Sequence, residues 1–429
     1  MKPYLMSNFP SVRPSLNLQF DSQPTPADMT SHLASVGATF SRASIGTYVD
    51  ANGLIQEATA GQARPNYSTA GVHEGLLIEE ARTNLLLSSE DLDDSTRWNF
   101  DRVTITEEAI INPKGTASAF KMAETTDTGG HNTIILNSYF PTIVSGTKYT
   151  QSYYVKKGDG ATAPNIIQIA SGGFISSEYQ NFNISTGSLL TGNGDDATIE
   201  DVGNGWYRIS MTATGSGNGG SAFILAFTNN ADSGRLPSYT GVATSDIYIW
   251  GAQMEEGSFP TSYIPTSGTT ATRSADVCYI DGTAFSDFYN EDEGTIFVNA
   301  MCEADSGASR FMYSFNNTIS SERVVGLIGT SDAILELVVD NGVVKAQFTS
   351  PTLTLGSFFK NGFRYKTNSF NQVTNGTAST PDTSGSVPTP TQLNIASSRT
   401  PSDFFNGYIK KFIYFPRALS DNELIKLTQ

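Results

Sequence analysis

Cysteine is nearly missing: Cys278 and Cys302 are the only two in 429 residues. No disulfide framework can hold together a chain of this size, and there is no CxxC pair to suggest a metal site. Histidine is almost as scarce. His32, His73 and His131 lie too far apart in sequence to form a local zinc motif. Long apolar runs are absent as well: nothing approaches the roughly 18 consecutive residues of a membrane span. Met1 to Phe20 carries Lys2 and Arg13 but no apolar core of the kind a signal peptide needs. The expectation is a chain made and kept soluble in the cytosol, or leaving by a route that needs no signal. Positive charge is also short, with Lys+Arg 26 against Asp+Glu 42 and a formal net charge of -16. A surface field of that sign opposes capture of nucleic acid or anionic lipid, so neither nucleic acid nor membrane insertion is expected.

The arrangements that carry hydrolytic chemistry are missing too. A jelly-roll glucanase needs two carboxylates on one strand face, and no E-x-D-x-x-E strand occurs. There is no G-x-S-x-G elbow; the nearest stretch, Gly215-Ser216-Gly217, is shorter and sits in a glycine-rich turn. Glu79-Glu80 and the cluster Glu90, Asp91, Asp93, Asp94 lie beside turn-like serines and read as solvated acidic surface. Asp195-Asp196 could join backbone carbonyls around calcium, but a polar turn is the preferred reading. No catalytic residue, cofactor or metal ligand is therefore assigned, and no glycan-binding residue is identified.

What is plentiful is glycine (39), tyrosine (18) and phenylalanine (25), with charged residues at only 16%. That balance fits many short strands joined by turns. The length suggests two or three domains. Residues 1–89 read as one unit with a helix from Pro26 to Val36, capped by Thr25, and a hairpin about Asn52-Gly53. Residues 90–266 read as a sandwich: in GWYRISMTAT, Tyr207, Ile209, Met211 and Ala213 share one face while Arg208, Ser210 and Thr212 take the other. Residues 267–429 read as a second sandwich, with Ile296, Val298, Ala300 and Cys302 on one face and a hairpin about Asn341-Gly342. Within it, the polar run 375–392 reads as a long exposed connection, and Ser420 caps a short final helix. Trp98, Trp206 and Trp250 could stack on sugar rings, but the strand context of Trp206 and Trp250 favours core positions for those two. In DIYIWGAQMEEGSFPTSYIPT, Pro260 and Pro265 stop further ladder pairing, so the stretch reads as a seam between domains. The predicted fold class is mainly β: an N-terminal segment followed by two tandem antiparallel sandwiches.

Three phrases in order, GATFSRASIGTYVDANGLIQEATAGQARPNY, GLLIEEARTNLLLSSEDL and the seam stretch leading into TRSAD, resemble the modular virion proteins of tailed bacteriophages. These are the tail fibres, head fibres and capsid decorations. The middle part, through Trp98 and GNGWYRISMTAT, is similar to their carbohydrate-binding-module-like sandwiches; FSDFYNEDEGTIFVNA through NGYIKKFIYFPRALSDNELIKLT is similar to a laminin-G-like or concanavalin-A-like jelly roll. The resemblance covers most of the chain from about Gly37 and leaves the first 25 residues unmatched. It implies this architecture and a virion setting and carries no ligand; the expected function is a non-enzymatic virion protein, displayed as a fibre or appendage, whose lectin-like domains contact host-surface polysaccharide. The N-terminal segment would bind other virion proteins, and the chain would form homo-oligomers, as trimeric fibres do. Its alternatives are a capsid decoration or cement protein that binds no sugar and, less favoured, a polysaccharide depolymerase.

Overall fold

The computed structural model describes residues 12–160, 162, 164–174, 177–217, 222–303, 307–317, 321–400 and 403–429. Those residues fold into two antiparallel β-sandwiches, which establishes the mainly β class.

The larger sandwich draws on both ends of the chain. One of its sheets runs in the order Thr377–Ala378, Ser369–Thr374, Phe359–Lys366, Glu293–Cys302, Gly407–Phe415, His73–Ile78, Arg64–Tyr67, with Leu16–Gln19 also lying on Gly407–Phe415. The facing sheet runs Thr39–Ser41, Val277–Asp281, Gln392–Ile395, Arg310–Asn316, Arg323–Ile328, Ala333–Asp340, Val343–Thr352. The segment 1–89, expected as separate, is not so among its described residues: Leu16–Gln19, Thr39–Ser41, Arg64–Tyr67 and His73–Ile78 are strands of the two sheets. The physical reason is the shortage of apolar positions in that stretch. Leu16, Leu18, Phe20, Met29, Leu33, Leu76 and Ile78 are too few for a core of their own, and they share one with Ile296, Val298, Phe363 and Phe412. Burial of each such side chain contributes about 1.5 to 3 kcal/mol. Docking is close enough that the strand His73–Ile78 needs a glycine: a Cβ on Gly75, at φ +100°, would sit 2.2 Å from the Ile409 carbonyl oxygen.

Local signals read from the sequence reappear at their positions. Thr25 caps the helix Pro26–Ser35 by accepting from the Asp28 amide at 3.2 Å, and Gly37 follows at φ +73°. The final helix, Asp421–Thr428, has a reciprocal capping box between Ser420 and Glu423. It lays Leu424 over Phe297, Val373 and Ile413. The run 375–392 is tied down more than an exposed connection would be: Asp382 bridges to Phe370, and the Thr389 amide donates to Glu322 at 3.1 Å.

The second sandwich is an insertion in the first. Its sheets run Asp196–Gly203, Trp206–Thr214, Lys148–Lys157, Asp246–Glu256, Ala117–Glu124, Val103–Ile111 and Ser188–Gly192, Tyr179–Asn183, Ile166–Gly172, Ala222–Phe227, Asn132–Ile135, Trp98–Asp101. Ile209, Met211 and Ala213 face its core, as their alternation requires. Chain entry and exit lie side by side, because Arg82–Asn84 pairs with Ala271–Arg273 and Ser88 bridges to Ser267. Asn84 clamps this stem. Its side-chain nitrogen donates to the Ile264 carbonyl at 2.9 Å, and its oxygen accepts from the Met254 amide at 3.1 Å.

A candidate ligand cleft with a buried charged floor

The phrases behind the resemblance converge where the two sandwiches meet. Arg42, Arg64, Arg273, Glu79 and Asp276 are all buried there. Asp276 pairs with Arg42 at 3.0 Å and with Arg64; Glu79 pairs with Arg64 at 2.8 Å and Arg273 at 3.1 Å. Backbone carbonyls of Ser44, Ala58, Thr59 and Gln62 take the remaining Arg42 donors. Ser262, from the seam, donates to Glu79 through its amide and its hydroxyl, both at 2.7 Å. Burial alone would raise the Glu79 carboxyl; Arg273 and Arg64, with the Ser262 hydrogen bonds, overcome it and hold the group at about 2. The expectation of a solvated Glu79-Glu80 surface is corrected here. Glu79 is 5% exposed, because three arginines from distant parts of the chain need anions where water is excluded. Glu80 is half-buried and pairs with Arg82 at 2.5 Å.

Above this floor opens a cleft of about 480 Å³. Thr47, Glu79 and Ser262 line its base, and Tyr48, Tyr67, Glu74, Glu303 and Tyr408 line the side of the larger sandwich. The inserted sandwich contributes Tyr154, Glu200 and Arg208. These three sit opposite one another on adjacent strands, Glu200 to Arg208 and Arg208 to Tyr154, so their side chains leave the sheet on one face. The Arg208 guanidinium lies 5.4 Å from the Tyr154 ring centre and donates to the Ser152 hydroxyl at 3.3 Å. A bulge at Gly251, φ +62°, switches the strand Asp246–Glu256 between faces. Ile247 and Ile249 enter the sandwich core while Tyr248 and Trp250 turn toward the junction.

Glu74, Glu200 and Glu303 are held away from their ordinary ionisation. Glu200 and Glu303 are exposed by surface area, yet protein from both sandwiches crowds their carboxyls within the cleft, and it is this crowding that acts on them. Burial, then repulsion from Glu200, pushes the Glu303 carboxyl up to about 8, against a hydrogen bond with Tyr408. Burial also raises Glu200, which Arg208 opposes and Asp201 reinforces. Glu74 is raised by burial and by Glu200, and lowered by Asn66, whose side-chain nitrogen donates to it at 3.1 Å, and by Lys410.

The sequence-singled residues fall mostly elsewhere. Trp98, Trp206 and Trp250 are at most 2% exposed; the Trp206 indole donates to the Ile111 carbonyl at 2.9 Å, and Trp250 packs on Tyr263 and Tyr154. Glu90 accepts from the Tyr263 hydroxyl at 2.9 Å, and Asp91 and Asp94 flank Arg97. Asp195 and Asp196 both approach Lys148. The histidines remain apart, His73 facing the Gln23 carbonyl and His131 that of Arg102. Cys278 and Cys302 are buried, and burial pushes the Cys278 thiol up to about 12. Among the described residues no trio of His, Cys, Asp or Glu is placed to hold a metal ion, and no helix is long and apolar enough to cross a membrane. Tyr154, Glu200, Arg208 and Glu303 were not singled out from the sequence. Alternation placed Arg208 on the outer face, but only the fold shows that this face looks into a cleft.

No protein-family model matches the chain, and no curated protein matches it. Solved structures with similarity include the CBM40 of the Ruminococcus gnavus IT-sialidase bound to α2,3-sialyllactose: 14% identity, 34% of this chain, 88% of that one, TM-score 0.31. A SAP-like pentraxin from Limulus polyphemus is 9% identical over 31% of this chain and 68% of its own, with TM-score 0.27. The binding domain of botulinum neurotoxin serotype D is 11% identical over 35% of this chain and 39% of its own, with TM-score 0.28. Likeness at this level carries neither a ligand nor a site residue over to this chain.

Proposed function

We propose that this chain is a non-enzymatic virion protein of a tailed phage, displayed as a fibre or appendage, and that it holds host-surface saccharide in the cleft between its sandwiches. The observation that carries the binding role is the composition of the cleft wall. Half-buried Tyr48 offers a ring face, and the buried Tyr67, Tyr154 and Tyr408 border the cleft beside the acceptors Glu74, Glu200 and Glu303. A pyranose presents apolar C–H faces and closely spaced hydroxyls, and such a wall answers both. The virion setting and the trimeric assembly are supported by the sequence phrases, whose residues build the floor of the same cleft. Titrating the full chain with oligosaccharides from host-surface polysaccharide should show binding that Tyr48→Ala and Glu200→Ala both weaken, with no new reducing ends released. Binding indifferent to both substitutions, or none at all, would overturn the cleft as a glycan site. A decoration protein contacting only virion partners is the second reading. It is favoured by the edge strand Val343–Thr352, where Val343 and Val344 are 56% and 52% exposed.

A further inference from the structure

We infer that the cleft selects a saccharide bearing a protonated amine over its N-acetylated or carboxylated counterparts, an inference that rests on the glycan reading above. Charge is the first reason. Glu74, Glu200, Asp201 and Glu303 line the opening, whereas Arg208 is the one Lys or Arg among the described lining residues. The second is that groups on the inserted sandwich's side are unused. The Glu200 side chain makes no hydrogen bond or ion pair among the described residues, although Arg208 sits opposite it in register. Arg208 spends one donor on Ser152, and its buried Nε has no partner. Tyr154 is only 4% exposed, yet its hydroxyl finds no hydrogen-bond partner among the described residues while its side chain lines the cleft. The ring is buried, and the hydroxyl borders the cleft without a protein partner among those residues, where a group of an entering molecule can meet it. Tyr154 and Glu200, two strands apart on one face with Arg208 between them, are placed to meet separate groups of a bound saccharide, a hydroxyl and an ammonium. A metal ion fits less well, since no carboxylate trio among the described residues is arranged to hold one.

Proton linkage gives the inference a second readout. Glu303 faces Glu74, Glu79, Glu200 and the Tyr408 hydroxyl, while Lys410 acts on Glu74 and Arg208 on Glu200. Crowding by protein and repulsion from Glu200 raise the Glu303 carboxyl, so its protonated form is favoured in the free protein more than for an ordinary glutamate. An arriving ammonium favours the carboxylate, so that proton leaves for the buffer as the ligand binds. Affinity for the amine should therefore pass through a maximum, rising with pH while the ligand amine stays protonated and falling once it deprotonates.

The test is isothermal titration of the full chain with four probes: a glucosamine trimer, its N-acetylated counterpart, a galacturonate trimer and trilysine. The expected result is about tenfold or greater preference for the glucosamine trimer over the N-acetylated one. Glu200→Gln and added salt should both erode that preference. At pH 7 the binding heat should vary with the ionisation enthalpy of the buffer, and Glu303→Gln should shift that variation by the protons the carboxyl no longer releases. Circular dichroism checks that both variants stay folded. Equal or tighter binding of the N-acetylated or galacturonate trimer, still sensitive to Tyr48→Ala, would overturn the amine preference and leave the glycan cleft standing. Trilysine binding as tightly as the glucosamine trimer would overturn the saccharide specificity. No saccharide binding at all would overturn the glycan reading itself.

Discussion

Replacing Glu79 by Gln removes one of two anions that hold three buried arginines, and its cost can be worked from the structure. Glu79 takes ion pairs from Arg64 at 2.8 Å and Arg273 at 3.1 Å and two hydrogen bonds from Ser262 at 2.7 Å. Its carboxyl stands at about 2 in the folded chain against 4.5 for a free one. Each such unit is worth about 1.4 kcal/mol, so the ionised group stabilises the fold by about 3 kcal/mol at neutral pH. The usual cost of breaking a buried pair from one side, about 3 to 5 kcal/mol, agrees. At about 2 to 4 °C per kcal/mol for a domain of this size, the melting temperature should fall by roughly 6 to 12 °C. The sign with pH is fixed: because the folded carboxyl is depressed, the wild-type advantage is complete above about 4.5 and disappears as pH falls toward 2. Differential scanning calorimetry of wild type, Glu79→Gln and Glu80→Gln between pH 7 and 3 measures it. Glu80 is a control, since its half-buried pair with Arg82 should be worth about 1 kcal/mol or less. If Glu79→Gln melts within about 2 °C of wild type at pH 7, the reasoning about this floor is wrong.

Trp206→Ala and Trp250→Ala should each cost about 3 to 5 kcal/mol in urea denaturation, since both rings are buried; unchanged midpoints with lost sugar binding would return them to a stacking role. Glu336 is buried under hydrogen bonds from Tyr313 and Asn361, both at 2.6 Å, and burial pushes its carboxyl up to about 8. Its raised value means stability should decline as pH climbs from about 4.5 to 8, and Glu336→Gln should flatten that slope in urea titrations; an unchanged slope contradicts it. A fragment of residues 90–429 should misfold in its larger sandwich, lacking strands from residues 16 to 78, while residues 85–266 should fold alone; amide-proton dispersion by NMR distinguishes the two.

Local chemistry made much of the fold legible. The Thr25 and Ser420 caps, the Asn52-Gly53 and Asn341-Gly342 turns and the alternation around Ile209 are short-range signals, and they appear where the residues placed them. The interleaving was hidden, because Leu16–Gln19 and Gly407–Phe415 are neighbours separated by almost the whole chain. Glu79 misled for the same reason: its cations, Arg64 and Arg273, are not on its own strand. The cleft residues Glu200, Arg208 and Glu303 have no motif. Their electrostatic character arises only when two sandwiches enclose them. Even so, the seam stretch did announce itself as a junction, and its Ser262 and Tyr263 tie the floor together.

The paired stem has a mechanical consequence. Beads strung in series on one linker pass the whole of a pulling force through that linker. Here the inserted sandwich is tethered by two chain crossings, Arg82–Asn84 and Ala271–Arg273, hydrogen-bonded to each other. A load applied to its far end divides between the two crossings and reaches the larger sandwich at Arg82 and Arg273 together. Arg273 is locked onto Glu79, and Glu79 through Arg64 onto Asp276, so the force spreads into strands from both ends of the sequence instead of peeling one of them.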